Sequence, residues 1–365
     1  MRPSPARLLA LMGGVVMLLT ACGSGSSPTT SSSGPLTPAQ TKGRTLVLAS
    51  WGGAWTDATK AFAAHFAQEY GVTIQYPSFD DPEITLRTQE QAGSVQMDVV
   101  DTASWISYKK GILAEFPQYL KDTIKANVDP VCISDYFIGC YGATAEVIAC
   151  NPAVASKCPT NAKEFWDTKN FPGPRAIDGV TPDGALLFGL LADGADKTKL
   201  YPIDINRAIN SLKKIKSSVA VWTTSGGQMQ QVLVNKEVGI EYGWNGRIFT
   251  TKQHQIPDLK VSWDDSVVSN PSQGGLAVAK GSPNADLAFT FLNWWIQQAQ
   301  YQADWTSALT YPTPNKKVNS LLSPAVLAAM PFAPDHTQPV LEDANWTYEH
   351  QTEEEKAFQT FLTGS

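Results

Sequence analysis

Arg44-Thr45-Leu46-Val47-Leu48-Ala49-Ser50 runs directly into Trp51-Gly52-Gly53, and the reading of this stretch decides the fold. Its apolar, β-rich middle predicts a buried strand, and its glycines predict a turn. Beyond the turn, Ala54 to Tyr70 carries Trp55, Phe62, Phe66 and Tyr70 at near-helical spacing, with Thr56 and Asp57 in the first turn and Gly71 as a stop. Val72 to Tyr76 reads as a second strand and Met97 to Asp101 as a third. Strand, helix and strand in quick succession imply a parallel α/β sheet, because a right-handed helical crossover is the usual way to join parallel neighbours.

Working outward, Asp183 to Asp193, Asp204 to Lys216 and Gly227 to Val234 read as helices and Glu237 to Tyr242 as a strand. Leu276 to Ala279 is a short apolar strand, and Asn284 to Gln300 and Glu353 to Leu362 are further helices. These elements describe a second α/β lobe between about residues 144 and 272. Open α/β sheets bind ligands beyond the carboxyl ends of their strands. That rule singles out Trp51, Ser104 and Trp105 in the first lobe, and Trp244, Asn245 and Arg247 in the second. For each tryptophan, packing is the competing explanation. A guanidinium offers a fixed fork for a carboxylate or phosphate, so Arg247 either faces a ligand or lies on the surface of the helix that follows its strand.

The N-terminal segment has the parts of a secretory leader: Arg2 and Arg7, an apolar run from Leu8 to Ala21, and small residues before Cys22. The run is too short to span a bilayer, which needs about 20 apolar residues. Leu19-Thr20-Ala21-Cys22 resembles a bacterial lipoprotein signal. It implies a signal peptide over 1–21, a mature chain beginning at an acylated Cys22, and a lipid-anchored linker over 22–43. Gly23 to Thr41 contains no charge and is rich in Gly, Ser, Thr and Pro, so it is expected to be a flexible tether with a reach of roughly 25 Å. The folded part would then sit on the extracellular face of a cell membrane without crossing it.

Without Arg2 and Arg7 the chain has 26 basic and 34 acidic residues, a net charge of −8. An acidic chain with no basic run is a poor nucleic-acid binder, since phosphate neutralisation needs clustered Lys and Arg. Cys132, Cys140, Cys150 and Cys158 all fall within 27 residues. An even number in an exported chain reads as disulfides, with three possible connectivities. Equal spacings favour two local loops, Cys132–Cys140 and Cys150–Cys158. No close Cys-x-x-Cys pair and no nearby histidine suggests a metal or other cofactor. Hydrolase motifs are also missing around the four histidines. A tethered extracellular hydrolase would have to use distant carboxylates such as Asp183 and Asp264.

Five blocks occur in an order similar to that of solute-binding proteins of ABC importers, in the group related to spermidine and putrescine receptors. They are Trp51-Gly52-Gly53 with its strand, Asn161 to Asp167 with Phe171 to Arg175, Tyr242 to Arg247, Gly275 to Asn284, and Tyr311 to Asn315. The resemblance implies a two-lobed α/β fold of the periplasmic-binding-protein type II class, with the ligand cleft between the lobes. One lobe would comprise 44–143 and 275–311, the other 144–274 and 312–365. It implies a monomer without enzymatic activity that closes on a small solute and hands it to the permease of an ABC importer.

Polyamine receptors of the group set carboxylates against ammonium groups and aromatic faces against methylenes. Here Asp183 fills one acidic position, whereas Leu186 and Gly274-Gly275 stand where further acidic positions are expected. With one carboxylate a dication is poorly compensated, and Arg247 favours an amino acid or an amino-butyrate-like compound instead. Trp51, Trp105, Trp222 and Trp244 would enclose the ligand, and Ser104, Ser225, Ser272 and Gln273 would supply neutral hydrogen bonds. A sugar, stacked on the same aromatic rings, is the alternative cargo.

Overall fold

The computed structural model describes residues 34–364, apart from 80, 81, 271, 334, 335 and 337. The leader and Cys22 therefore lie outside the described residues. The end of the expected tether is folded: Pro38–Thr41 forms a helical turn, α1. Leu36 donates its N–H to Thr290 Oγ1 at 3.0 Å, and the buried Thr41 hydroxyl bonds to the Tyr70 carbonyl at 2.6 Å. The uncharged composition hides one apolar residue and one hydroxyl with partners to meet.

The chain continues through β1 (Thr45–Ala49), α2 (Gly53–Tyr70), β2 (Thr73–Gln75), α3 (Pro82–Gln91), β3 (Val99–Ser104), α4 (Trp105–Lys109), α5 (Gln118–Asn127) and β4 (Phe137–Ile138). With β10 (Gly274–Val278) these strands form a five-stranded sheet in the order β2-β1-β3-β10-β4. β1 runs parallel to β2 and β3, as the opening stretch predicts, while β10 is antiparallel to β3 and β4. Gly52 makes the turn out of β1 at φ 78°, and Gly71 ends α2 in the left-handed region at φ 66°, a conformation that costs glycine nothing. Phe62, Phe66, Phe291 and Trp295 pack in the core on this sheet.

A second chain segment supplies β5 (Ala145–Cys150), α6 (Ala162–Trp166), β6 (Arg175–Asp178), α7 (Pro182–Ala192), α8 (Ile205–Ile215), β7 (Val219–Thr223), α9 (Gly226–Val234), β8 (Ile240–Trp244), α10 (Asn245–His254) and β9 (Lys260–Val268). These strands and β11 (Val340–Leu341) form a six-stranded sheet in the order β11-β9-β5-β8-β6-β7. α7 is apolar around its whole circumference and lies buried, whereas α8 shows only Ile205, Ala208, Ile209, Leu212 and Ile215 to the same core. Cys132–Cys140 and Cys150–Cys158 are both bonded, with Cα atoms 5.3 and 5.6 Å apart.

Two helices depart from the expected boundaries. Asn284 to Gln300 is not one helix: α11 (Ala285–Trp295) ends before α12 (Ala299–Leu309) begins. The last helix, α14 (Ala344–Thr363), starts nine residues before Glu353, because Asp343 caps it by accepting the N–H groups of Asn345 and Trp346. Between α12 and β11 the chain passes through α13 (Pro324–Leu327). Val318 and Leu322 pack with Ala303 of α12, while the Ala329 carbonyl accepts from Asn245 of α10.

The chain passes between the sheets at 139–144, at 269–273 and again after Tyr311. Ser269 joins the first two passages: its backbone N–H donates to the Thr144 carbonyl at 2.9 Å, and its hydroxyl accepts from the Thr144 N–H at 2.8 Å. Asn245 joins the third, donating to the Thr310 carbonyl at 3.1 Å and accepting from the Ala145 N–H at 3.0 Å.

Candidate functional site

A cavity of about 410 Å³ opens between the two sheets. Trp51, Trp55, Glu83, Arg87, Ser104 and Gln273 line it from elements of the first sheet, and Glu146, Thr181, Asp183, Trp244, Arg247 and Glu342 from the second. The first turns of α14 add Ala344, Thr347 and Gln351, with Glu354 behind them. Its position beyond strand ends follows from the topology, because loops leaving the parallel strands converge there.

On the first side, Trp55 is held edge-on to Tyr141 and Trp305, with ring centroids 5.8 and 4.8 Å away. Its indole N–H donates to Asp101, a fully buried carboxyl pushed up to about 8 by burial, against the hydrogen bonds of Trp55 and Tyr141. Glu83 accepts from the hydroxyls of Ser104 and Ser107, each at 2.6 Å, which fixes its carboxylate at the base of α4.

The second side is strongly acidic. Glu146 in β5 and Glu354 in α14 are 4% and 2% exposed, so neither is solvated as a surface acid would be. Burial, and then the neighbouring charges of Asp178, Glu342 and Asp183, hold Glu146 well above the usual carboxylate range. Burial likewise raises Asp178, Asp183 and Glu342, and lifts Glu354 to about 7. Trp244 donates its indole N–H to Asp178 at 2.9 Å, so the edge of an aromatic ring stands beside the acids. Arg247 supplies the opposite charge. Its Nε is buried without a hydrogen-bond partner, and it crosses Gly226, where any Cβ would meet Nε at 2.5 Å.

The structure brings together Trp51, Ser104, Asp183, Trp244, Arg247 and Gln273 from the residues read in the sequence. It places the others outside the cavity lining. Trp105 packs at a tilt against Tyr108 and donates to Asn345 Oδ1 at 2.7 Å, linking α4 to α14. Trp222 packs edge-on against Phe358 and Phe361, because β7 is the edge strand covered by the C-terminal helix. Ser225 caps α9 by accepting from Gln228 N–H, and Ser272 donates to Asn270. Asn245 is fully buried among the passages between the sheets, and its amide is spent on backbone groups.

The sequence reading missed most of the acids. Leu186 is fully buried in the core of the second sheet, so it does not vacate a place in the cavity wall. Glu146, Glu342 and Glu354 provide the negative charge instead. Glu146 had a legible signal, a lone acid in the otherwise apolar strand Ala145–Cys150. Glu342 and Glu354 had none, since only the return of the chain to β9 and the early start of α14 bring them in.

Residues 61–332 match the family model described as bacterial extracellular solute-binding protein. Over 346 residues the chain is 26% identical to the gamma-aminobutyric acid-binding protein of Pseudomonas aeruginosa, covering 88% of this chain and 92% of that one. It is 25% identical over 302 residues to the spermidine/putrescine-binding periplasmic protein of Escherichia coli, covering 77% and 82%. Among solved structures, that of the Atu4243-GABA receptor is 30% identical and superposes with a TM-score of 0.75, covering 87% of this chain and 97% of its own.

Proposed function

Because the chain belongs to the bacterial extracellular solute-binding proteins, receptors that deliver small solutes to ABC importers without transforming them, we propose that its cleft takes a small zwitterion of the gamma-aminobutyric acid kind. The observation that carries this reading is the bipolar cavity: Glu146, Asp183, Glu342 and Glu354 face a space that Arg247 also lines, with the indoles of Trp51 and Trp244 on its two sides. The acids suit an ammonium group, the guanidinium suits a carboxylate, and the indole faces suit the methylenes between them. The names of two similar receptors, for gamma-aminobutyric acid, agree with this choice. A polyamine is the second reading, favoured by the number of carboxylates and by the putrescine receptor among the relatives. Neutral sugars suit such a charged wall less well, because buried charges left without counter-charges are costly.

The two lobes are assigned to 44–143 with 275–311 and to 144–274 with 312–365, the stretch from Asn315 to Ala329 bridging them. Ligand contacts made by both lobes exist only when the cleft is shut, so binding biases the hinge toward closure. The receptor works as a monomer, held near its permease by acylation at Cys22 and a short tether, which raises the effective concentration of one at the other. Thermal-shift screening with gamma-aminobutyric acid, putrescine, spermidine, butyrate and glucose tests the class of cargo. Saturating ligand at a hundred times its dissociation constant raises stability by about 2.7 kcal/mol. Arg247→Ala should weaken gamma-aminobutyric acid about 10- to 100-fold, in line with loss of a charged hydrogen bond, and leave putrescine unchanged. Equal affinity of the variant for gamma-aminobutyric acid would remove Arg247 from the site, and turnover of any probe would refute the receptor role.

A further inference from the structure

The hydroxyl of Thr181 lies between two carboxyl groups, 2.6 Å from Asp178 Oδ2 and 3.0 Å from Glu146 Oε1. A hydroxyl has one proton to donate. Asp178 takes it at the shorter distance, and its two oxygens also receive the indole N–H of Trp244 at 2.9 Å and the backbone N–H of Val180 at 2.8 Å. Asp178 is thus supplied with the three donors an ionised carboxylate needs. Glu146 receives none of these. Its Oε1 meets a Thr181 oxygen whose proton is already committed, and its carboxyl also lies in hydrogen-bond reach of Asp178, a contact that exists only if one of the two acids holds a proton. The contact with Thr181 becomes favourable only when Glu146 is itself the donor.

Glu146 lines the cavity, and its carboxyl lies against the bare Cα of Gly184 in the first turn of α7. The groups facing it from neighbouring elements are Asp178 on β6, Asp183 on α7, Glu342 after β11 and the phenol of Tyr242 on β8. Glu354 on α14 adds its charge through Glu342. These groups are all acidic and oppose its ionisation, while Arg247 on α10 is the cation that lines the same side of the cavity.

We propose that Glu146 carries a proton in the ligand-free receptor and is the group that receives the ligand's ammonium, releasing that proton when the cation arrives. The inference rests on the reading of the cleft as a site for amine-bearing solutes. In the exchange, the Glu146 O–H bond breaks and the proton leaves to solvent. The ammonium keeps all of its own protons and hydrogen-bonds to the carboxylate so formed, so the number of positive charges beside Glu146 is conserved. Ligand capture is then a cation-for-proton exchange, tighter at higher pH.

Isothermal titration of gamma-aminobutyric acid and of putrescine, in two buffers of different ionisation enthalpy, counts the protons released. The expected result for the wild type is about one proton per chain, with affinity rising about tenfold per pH unit while the free receptor holds the proton. Glu146→Gln imitates the protonated acid, since its amide N–H can donate to Thr181. It should keep the wild-type melting temperature, release no proton at this site, and bind either probe about 10- to 100-fold more weakly. Binding by the wild type with no proton release, or unchanged release from Glu146→Gln, overturns the exchange and leaves the receptor reading standing. Failure of both probes to bind between pH 5 and 8 overturns the amine reading, and the exchange falls with it.

Discussion

Replacing Asp101 by Asn should flatten the dependence of stability on pH. Asp101 is fully buried in β3 beneath Trp55, and its pKa is pushed from 3.8 to about 8 by burial despite the hydrogen bonds of Trp55 and Tyr141. The folded protein therefore holds a proton there over a pH range in which the unfolded chain has lost it. Stability from this group is full below about pH 3.8 and falls as pH rises, by about 1.4 kcal/mol per unit, until about pH 8. Between pH 5 and pH 7 the loss is about 2.7 kcal/mol. Asn is a neutral isostere whose carbonyl can still accept from the Trp55 indole, so it should remove this slope without releasing Trp55 into the cleft. Urea unfolding followed by tryptophan fluorescence at pH 5, 6 and 7 measures the difference between variant and wild type. That difference should shift in favour of the variant by about 2.7 kcal/mol over the two pH units. A constant difference would mean that Asp101 is ionised in the folded state, and the account of its burial would be wrong.

Two further outcomes follow from close packing and covalent constraint. Gly184→Ala places a methyl group on the Glu146 carboxylate and should cost about 1–3 kcal/mol, as overpacking does, together with loss of ligand affinity; a thermal scan and titration that both match the wild type would displace Glu146 from its assigned position. Removing the Cys132–Cys140 bond by the double Ser variant frees a loop of 8-residue separation and should lower the unfolding free energy by about 2.5 kcal/mol, measured against urea, while an unchanged midpoint would show that the loop is already restricted in the unfolded chain.

How much of the site was legible in the sequence depended on which interaction held each residue. Trp244 and Arg247 were legible because a strand end is a local feature, marked by the change from Ile240–Trp244 to the polar Asn245-Gly246-Arg247 that opens α10. Asn245, next to them, obeyed the same rule, yet its side chain turns away to satisfy an amide and two carbonyls from three distant segments. Trp222 also sits at a strand end, but its strand is the sheet's edge, and the C-terminal helix takes its indole as a packing surface. Acids at the positions implied by the family resemblance, with Leu186 and Gly274-Gly275 in place of two of them, predict a weakly acidic cleft. The negative charge comes from residues that lie 37, 196 and 208 positions apart, counted from Glu146 to Asp183, Glu342 and Glu354.

The sequence by itself determined the class of fold. Periodicity and glycine turns over Arg44 to Asp101 required a parallel α/β sheet, the cysteine spacing favoured the two local disulfides, and five ordered blocks pointed to a two-lobed solute receptor. These properties are local or additive along the chain, so they can be read one segment at a time. Only the tertiary structure decided the character of the cleft. Whether a carboxyl group is a solvated surface charge or a buried group held above the usual carboxylate range depends on burial and on which distant charges surround it. For Glu146 those neighbours arrive from β6, α7 and the chain after β11, and no stretch of sequence contains them all.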